Sequence, residues 1–139
     1  MYQNILIAVD GSDHSLLALQ HAAKLARALD SRLHLVHAYP STSDIVGYSD
    51  YTSLLARRKD KGREVLDAMR TRLQDPELVI EESLLEGPEA EAVLNAAEAH
   101  GVDLIVMGSR GLGTVKRWLL GSLSQKVSQL AHCPVLLVR

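Results

Sequence analysis

Apolar positions along the chain alternate between two textures. Short aliphatic clusters at residues 5–9, 33–38, 104–107 and 135–138 contain few polar positions, as expected of parallel strands covered on both faces. A fifth cluster, 78–85, holds Val79, Ile80, Leu84 and Leu85 but also Glu81 and Glu82. Charges within a strand suit a sheet edge, where they discourage pairing with other chains. Between the clusters, apolar residues recur at helical spacing. Residues 14–29 carry Leu16, Leu17, Leu19, Ala23, Leu25, Ala26 and Leu29 on one broad face, and Ser12 or Asp13 can cap that helix. Residues 54–73 predict a second helix, charged on one side, with Gly62 as its weak point. A third begins at Pro88, which suits the first helical position, with Glu89 and Glu91 in the positive first turn. It ends near His100-Gly101, where glycine provides a C-terminal cap. A fourth spans 122–131, and residues 40–50 read as a loop.

Strands and helices therefore alternate along the chain, which predicts an α/β fold: a parallel sheet with helices on both faces and right-handed crossovers. Ligands of such sheets bind outside the carboxyl ends of the strands, where the strand order reverses. The pattern alone leaves that order open. At 139 residues and 15.2 kDa the chain is expected to form one domain over residues 1–139. Its 47% hydrophobic and 23% charged residues exclude wholesale disorder, and a net charge of −2 gives no basic excess for non-specific nucleic-acid binding. No apolar run approaches the roughly 18 residues of a membrane span, and the run at 5–9 is too short for a signal-peptide core. A cytoplasmic protein without membrane or nucleic-acid partners is expected. The single cysteine, Cys133, cannot form an internal disulfide; ahead of Pro134 and a buried strand, it reads as an inert thiol.

The stretch from Met107 to Ser124 leaves a buried strand and enters a helix. Gly108 and Gly111 sit at the turn, and Gly121-Ser122 open the helix. Glycines permit close backbone approach and positive φ, and a helix start offers unpaired N–H groups, which is what a phosphate needs. Ser122 and Ser124 add hydroxyls, and Arg110, Lys116 and Arg117 add positive charge. The same residues also make an ordinary glycine turn with a serine cap, and spacing alone leaves both readings open. The P-loop pattern with its lysine is absent. Asp10 follows the first strand, at the rim where it can meet a ribose hydroxyl or a phosphate-bound metal. Taken alone, Asp10-Gly11-Ser12-Asp13 reads first as a turn and helix cap.

Histidines predict no metal site. His34 and His37 fall on opposite faces of a strand, and His14 and His21 are two helical turns apart, about 10 Å. His100 and His132 sit near helix ends, where the dipole favours them. The basic run Arg57-Arg58-Lys59-Asp60-Lys61-Gly62-Arg63 reads mainly as a solvated helix face, with a phosphate or partner contact as the alternative.

At these positions the chain resembles the universal stress protein family. The resemblance covers nearly the whole length, including Ile5-Leu6-Ile7-Ala8-Val9-Asp10-Gly11-Ser12, Gly87-Pro88, Asp103-Leu104-Ile105-Val106-Met107-Gly108-Ser109-Arg110-Gly111 and Cys133-Pro134-Val135-Leu136-Leu137-Val138. The family's ATP-binding signature G-x2-G-x9-G-[ST] reads here as Gly108, Gly111, Gly121 and Ser122. The resemblance implies a three-layer α/β/α sandwich of Rossmann-like type, with a five-stranded sheet in the order 3-2-1-4-5. ATP would then lie at the switch point between strands 1 and 4, bringing Mg2+ on its phosphates. Ala8, Val9 and Asp10 would line the adenosine side. His37 or Ala38 would lie near the adenine with Met107 beside it; His37 departs from the aliphatic residue usual there. The glycine loop with Ser122, Leu123 and Ser124 would hold the phosphates. A homodimer through the last strand, residues 135–138, is implied as well.

Three functions follow as expectations. The first is an ATP-binding regulatory protein of the stress response with little or no turnover and an unidentified protein partner. The second is an ATP-independent dimeric interaction module. The third is a slow ATPase. No catalytic residue is assigned, because Asp10 is the one carboxylate placed near the phosphates and it belongs to the ribose side.

Overall fold

The computed structural model describes residues 1–41, 48–110 and 120–139. The elements run β1 (Asn4–Ala8), α1 (Asp13–Leu29), β2 (Arg32–Tyr39), α2 (Tyr48–Leu73), β3 (Ile80–Glu86), α3 (Glu89–Ala99), β4 (Leu104–Gly108), α4 (Ser122–Leu130) and β5 (Val135–Val138). All pairings are parallel, and the order is β3-β2-β1-β4-β5. β1 is therefore central, flanked by β2 on one side and β4 on the other, and the chain reverses direction across the sheet at β1 and β4.

Strand alternation divides the core into two layers. Ile5, Ile7, Val9, Leu33, Leu35, Leu104 and Val106 face α1 and α2, meeting Leu16, Leu19, Ala22 and Ala26 of α1 and Leu66 and Met69 of α2. Leu6, Ala8, Val36, Ile105 and Met107 face the other way, against Ala90, Val93, Ala96 and Ala97 of α3 and Val127 of α4. Burying each Val, Leu, Ile or Met side chain of these layers stabilises the fold by about 1.5–3 kcal/mol.

Several local expectations are corrected. In α1 the buried stripe is Ser15, Leu16, Ala18, Leu19, Ala22, Ala23 and Ala26, whereas Leu17 and Leu29 are exposed. The small residues of the stripe let α1 lie close to the sheet, with Leu16 and Leu19 packed into it and Leu17 and Leu29 left outside. Ser12 is the cap, accepting from the Ser15 N–H at 3.1 Å, and Asp13 supplies first-turn charge. α2 starts at Tyr48, ahead of the apolar periodicity that begins at Leu54, so the predicted loop 40–50 is shorter; residues 42–47 of it lie outside the described residues. Pro88 precedes α3 as its cap, because its ψ of 138° is extended; its carbonyl accepts from the Ala92 N–H at 3.0 Å. β3 begins at Ile80, leaving Leu78 and Val79 before it, and lies at the sheet edge with Glu81 and Glu82 in its first half. Gly101 adopts φ +61° just past α3, as a C-terminal cap requires. Among the described residues, no helix is long and apolar enough to cross a membrane.

Candidate functional site

The carboxyl ends of β1, β2 and β4 converge on two adjoining hollows of about 240 and 380 Å3. Ala8, Val9, Asp10, Glu89 and Leu123 line both. Considered together, they fall in the roughly 300–1,000 Å3 range of small-molecule sites.

The smaller hollow lies between β1, β4 and α4. Met107, Gly108 and Arg110 line it from the β4 side, Gly121, Ser122, Leu123 and Ser124 from the start of α4, and Ser15 from α1. Gly108 is needed for close approach. A Cβ there would stand 3.0 Å from the Arg110 carbonyl oxygen and 3.2 Å from that of His14. Positive φ plays no part at the described glycines of the signature: Gly121 has φ −63° and ψ 156°, and Gly108 is not in the left-handed region. The first bond inside α4 runs from Gln125 N–H to the Gly121 carbonyl at 3.0 Å, and no side chain caps the helix. The N–H groups of its first turn thus have no acceptor within the helix and sit at its positive end. Ser124 is buried, and its hydroxyl donates to the carbonyls of Ser109 and Gly121, each at 3.0 Å. Beside its expected place at the cleft, the Ser124 side chain fastens α4 to the end of β4. The Gly121 N–H to Ser109 carbonyl bond, 2.8 Å, reinforces the same junction. Gly111, Lys116 and Arg117 lie outside the described residues.

The larger hollow lies between β2 and α2. His37, Ala38, Tyr39 and Pro40 form one wall; Arg58, Lys61, Gly62 and Val65 form the other, and Val93 of α3 closes it. His37 donates from Nδ1 to the Val9 carbonyl at 2.7 Å, which leaves Nε2 of the neutral ring as an acceptor. Arg58 donates to the carbonyls of Pro40, at 3.3 Å, and Ser41, tying α2 to the exit of β2. Tyr39 is raised by burial, with the Glu86 carboxylate and Tyr51 adding to the effect, so its phenol stays protonated.

Asp10 carries a local bond: its Oδ1 accepts from the Ser12 N–H at 2.8 Å. That is the expected turn, and it coexists with a place in both hollows. The structure thus brings together Ala8, Val9, Asp10, His37, Ala38, Met107, Gly108, Arg110, Gly121, Ser122, Leu123 and Ser124 around one cleft. Sequence reasoning missed Ser15, Tyr39, Val65, Val93 and Glu89 as cleft residues, and read Arg58 and Lys61 mainly as solvated. Glu89 was visible only as a first-turn acid of α3. The arrangement joins a pocket lined by backbone N–H groups and Arg110 to a more apolar one, and so can hold a ligand with an anionic end and a flat, mostly apolar end.

Residues 1–139 match the model of the Universal stress protein family. A universal stress protein of Thermus aquaticus, encoded in a QAH/OAS sulfhydrylase 3' region, is 45% identical over 140 residues and covers 100% of both chains. The universal stress protein UspA from Lactobacillus plantarum superposes with a TM-score of 0.88 at 26% identity, covering 99% of this chain and 98% of its own. A universal stress protein solved in complex with cAMP superposes with a TM-score of 0.75 at 29% identity, covering 99% and 97%.

Proposed function

The chain belongs to the universal stress protein family, and we propose that its cleft binds an adenine nucleotide, ATP with Mg2+ carried on the phosphates, as the input of a stress-response regulator. The observation that carries this reading is the polarity of the cleft. The uncapped first turn of α4, Gly108 and Arg110 surround its smaller part, and Ala38, Val65 and Val93 line its larger part. Phosphates fit the first by charge and hydrogen bonding. Adenine fits the second, with His37 Nε2 as an acceptor for its exocyclic amine. Asp10, lying between the two, faces the ribose. Asp10 and Glu89 also line the smaller part, and Mg2+ carried on the phosphates would balance their charge. The relative that carries cAMP supports the adenine part of the reading and favours a cyclic nucleotide as the second candidate.

The regulator has little or no turnover. Glu89 is the one lining carboxylate besides Asp10 among the described residues, and Glu89→Gln tests slow hydrolysis directly. β5 forms a sheet edge whose residues are all partly exposed, and pairing of two such edges supports a homodimer. Sedimentation showing monomer at micromolar concentration overturns the dimer.

The deciding experiment is a thermal melt of nucleotide-free protein with ATP–Mg2+, ADP, AMP and cAMP. A ligand at a hundred times its Kd adds about 2.7 kcal/mol, a shift of several degrees for a domain of this size. No shift with any of the four removes the nucleotide and favours the ATP-independent interaction module.

A further inference from the structure

The start of β2 lies at the end of the sheet opposite the cleft. There His34 of β2, Glu81, its register partner on β3, and His100, which caps the C-terminus of α3, bring one ligand atom each to within 4.8 Å of one another. His34 is only 4% exposed, and its Nδ1 is buried without a hydrogen bond. The Glu81 Oε2 lies 3.4 Å from that nitrogen, and the His34 Nε2 lies 3.5 Å from Asn4 Oδ1. The His34 and His100 rings have centroids 4.7 Å apart at an angle of 31°.

A buried ring nitrogen with no partner costs stability, and a protein of this size normally satisfies such a group. Here the carboxylate and the second imidazole are both exposed, while the buried Nδ1 of His34, without a hydrogen bond, lies 3.4 Å from the Glu81 carboxylate. We propose that His34, Glu81 and His100 form a binding site for a late first-row divalent cation such as zinc, with two imidazoles and one carboxylate as protein ligands and water completing the shell. Imidazole with carboxylate suits zinc, nickel or copper, whereas magnesium and calcium prefer all-oxygen sets.

Burial holds His34 below its ordinary value; Glu81 pulls the other way, and His100 and Arg32 add to the lowering. With Zn–N and Zn–O distances of about 2.0–2.2 Å, the donors must close to roughly 3.3 Å from one another. The exposed side chains of Glu81 and His100 supply that movement by rotation, while His34 stays fixed by its packing. Arg32, 3.6 Å from Glu81 Oε1, is the competing cation. It neutralises the carboxylate when no metal is bound and must yield when one is.

The test is calorimetric titration of chelator-treated, nucleotide-free protein with zinc chloride at pH 7.5. One zinc per chain is expected, with magnesium giving no heat. His100→Ala and Glu81→Gln alter exposed side chains, so the fold should survive, and each should weaken zinc at least about tenfold. Arg32→Ala should tighten it. His132→Ala, outside the site, should change nothing. In proton NMR the His34 and His100 ring signals should move together on adding zinc. Absence of binding, or equal affinity of wild type and His100→Ala, overturns the proposal. Neither outcome bears on the nucleotide cleft, which lies at the other end of the strands.

Discussion

The ring of His37 bridges two strands by donating from Nδ1 to the main-chain carbonyl of Val9 at 2.7 Å. That bond fixes the tautomer and holds the exits of β1 and β2 together where the cleft begins. His37→Leu keeps the apolar volume and loses the bond, so it should cost about 0.5–1.5 kcal/mol in urea denaturation. If His37 also reads the base, the variant should bind adenine nucleotides more weakly than inosine nucleotides relative to wild type. An unchanged preference would confine His37 to its strand-bridging role.

Asp10 combines a turn bond with a cleft position, and two substitutions separate the roles. Asp10→Asn retains a carbonyl oxygen for the Ser12 N–H, so stability should stay within about 0.5 kcal/mol, while affinity falls through loss of the charge. Asp10→Ala loses both, costing about 1 kcal/mol of stability and roughly ten- to a hundred-fold in nucleotide affinity. Calorimetry and melts on the same samples check the pair. Equal affinity in all three proteins would leave Asp10 as a turn residue only.

The glycines of the smaller hollow should behave differently from one another. Gly108→Ala places a Cβ against the main chain of His14 and Arg110, which cannot rotate away, and should destabilise the fold by about 1–3 kcal/mol. Gly121 has a backbone conformation open to any residue. Gly121→Val should therefore fold and yet lose the ATP-dependent rise in melting temperature, because its side chain fills space at the start of α4. A full shift in folded Gly121→Val would move the phosphates elsewhere.

Acid should weaken the fold through His34. Its native value lies below the ordinary 6.5, chiefly through burial, so the unfolded chain takes up the proton first as pH falls. The neutral ring's contribution is fully present above about pH 6.5. It is lost progressively as the pH drops below that value and through the lower native one. Glu81, His100 and Arg32 are the titratable and charged groups that face the ring, and Glu81 moderates the effect. Urea midpoints from pH 7.5 to 5 should fall less steeply for His34→Gln than for wild type. Parallel slopes would assign the acid sensitivity to other groups.

The alternation of aliphatic clusters and helical spacing made the layers of the fold legible, because buried parallel strands and amphipathic helices leave different periods in the chain. The glycine-containing exit of β4 and the acid after β1 were legible for the same local reason: each sits next to a recognisable strand end. Strand order was not, since no local pattern records which strands become neighbours; the family resemblance supplied it. The wall formed by Arg58, Lys61, Gly62 and Val65 was hidden because it depends on how α2 lies over β2. Gly62, read as a helix weakness, is buried where a Cβ would come within 2.6 Å of Leu84 Cδ1, so its smallness serves that packing. The meeting of His34, Glu81 and His100 was hidden more deeply. It combines a strand register with a helix end, and each histidine taken separately has an ordinary explanation.

The two borders of the sheet are chemically unequal, and this sets how far it can grow. β3 presents Glu81 and Glu82, with Arg63 and Arg70 of α2 paired to Glu82 at 3.9 and 3.4 Å. β5 presents Val135, Leu136, Leu137 and Val138. An added strand meets charge on the first side and an aliphatic margin on the second. A two-fold pairing through β5 would use up the receptive margin of both copies and leave only the two repellent ones facing outward. Strand addition would then terminate at a stoichiometry of two, the same chemistry that would permit a pair withholding a polymer.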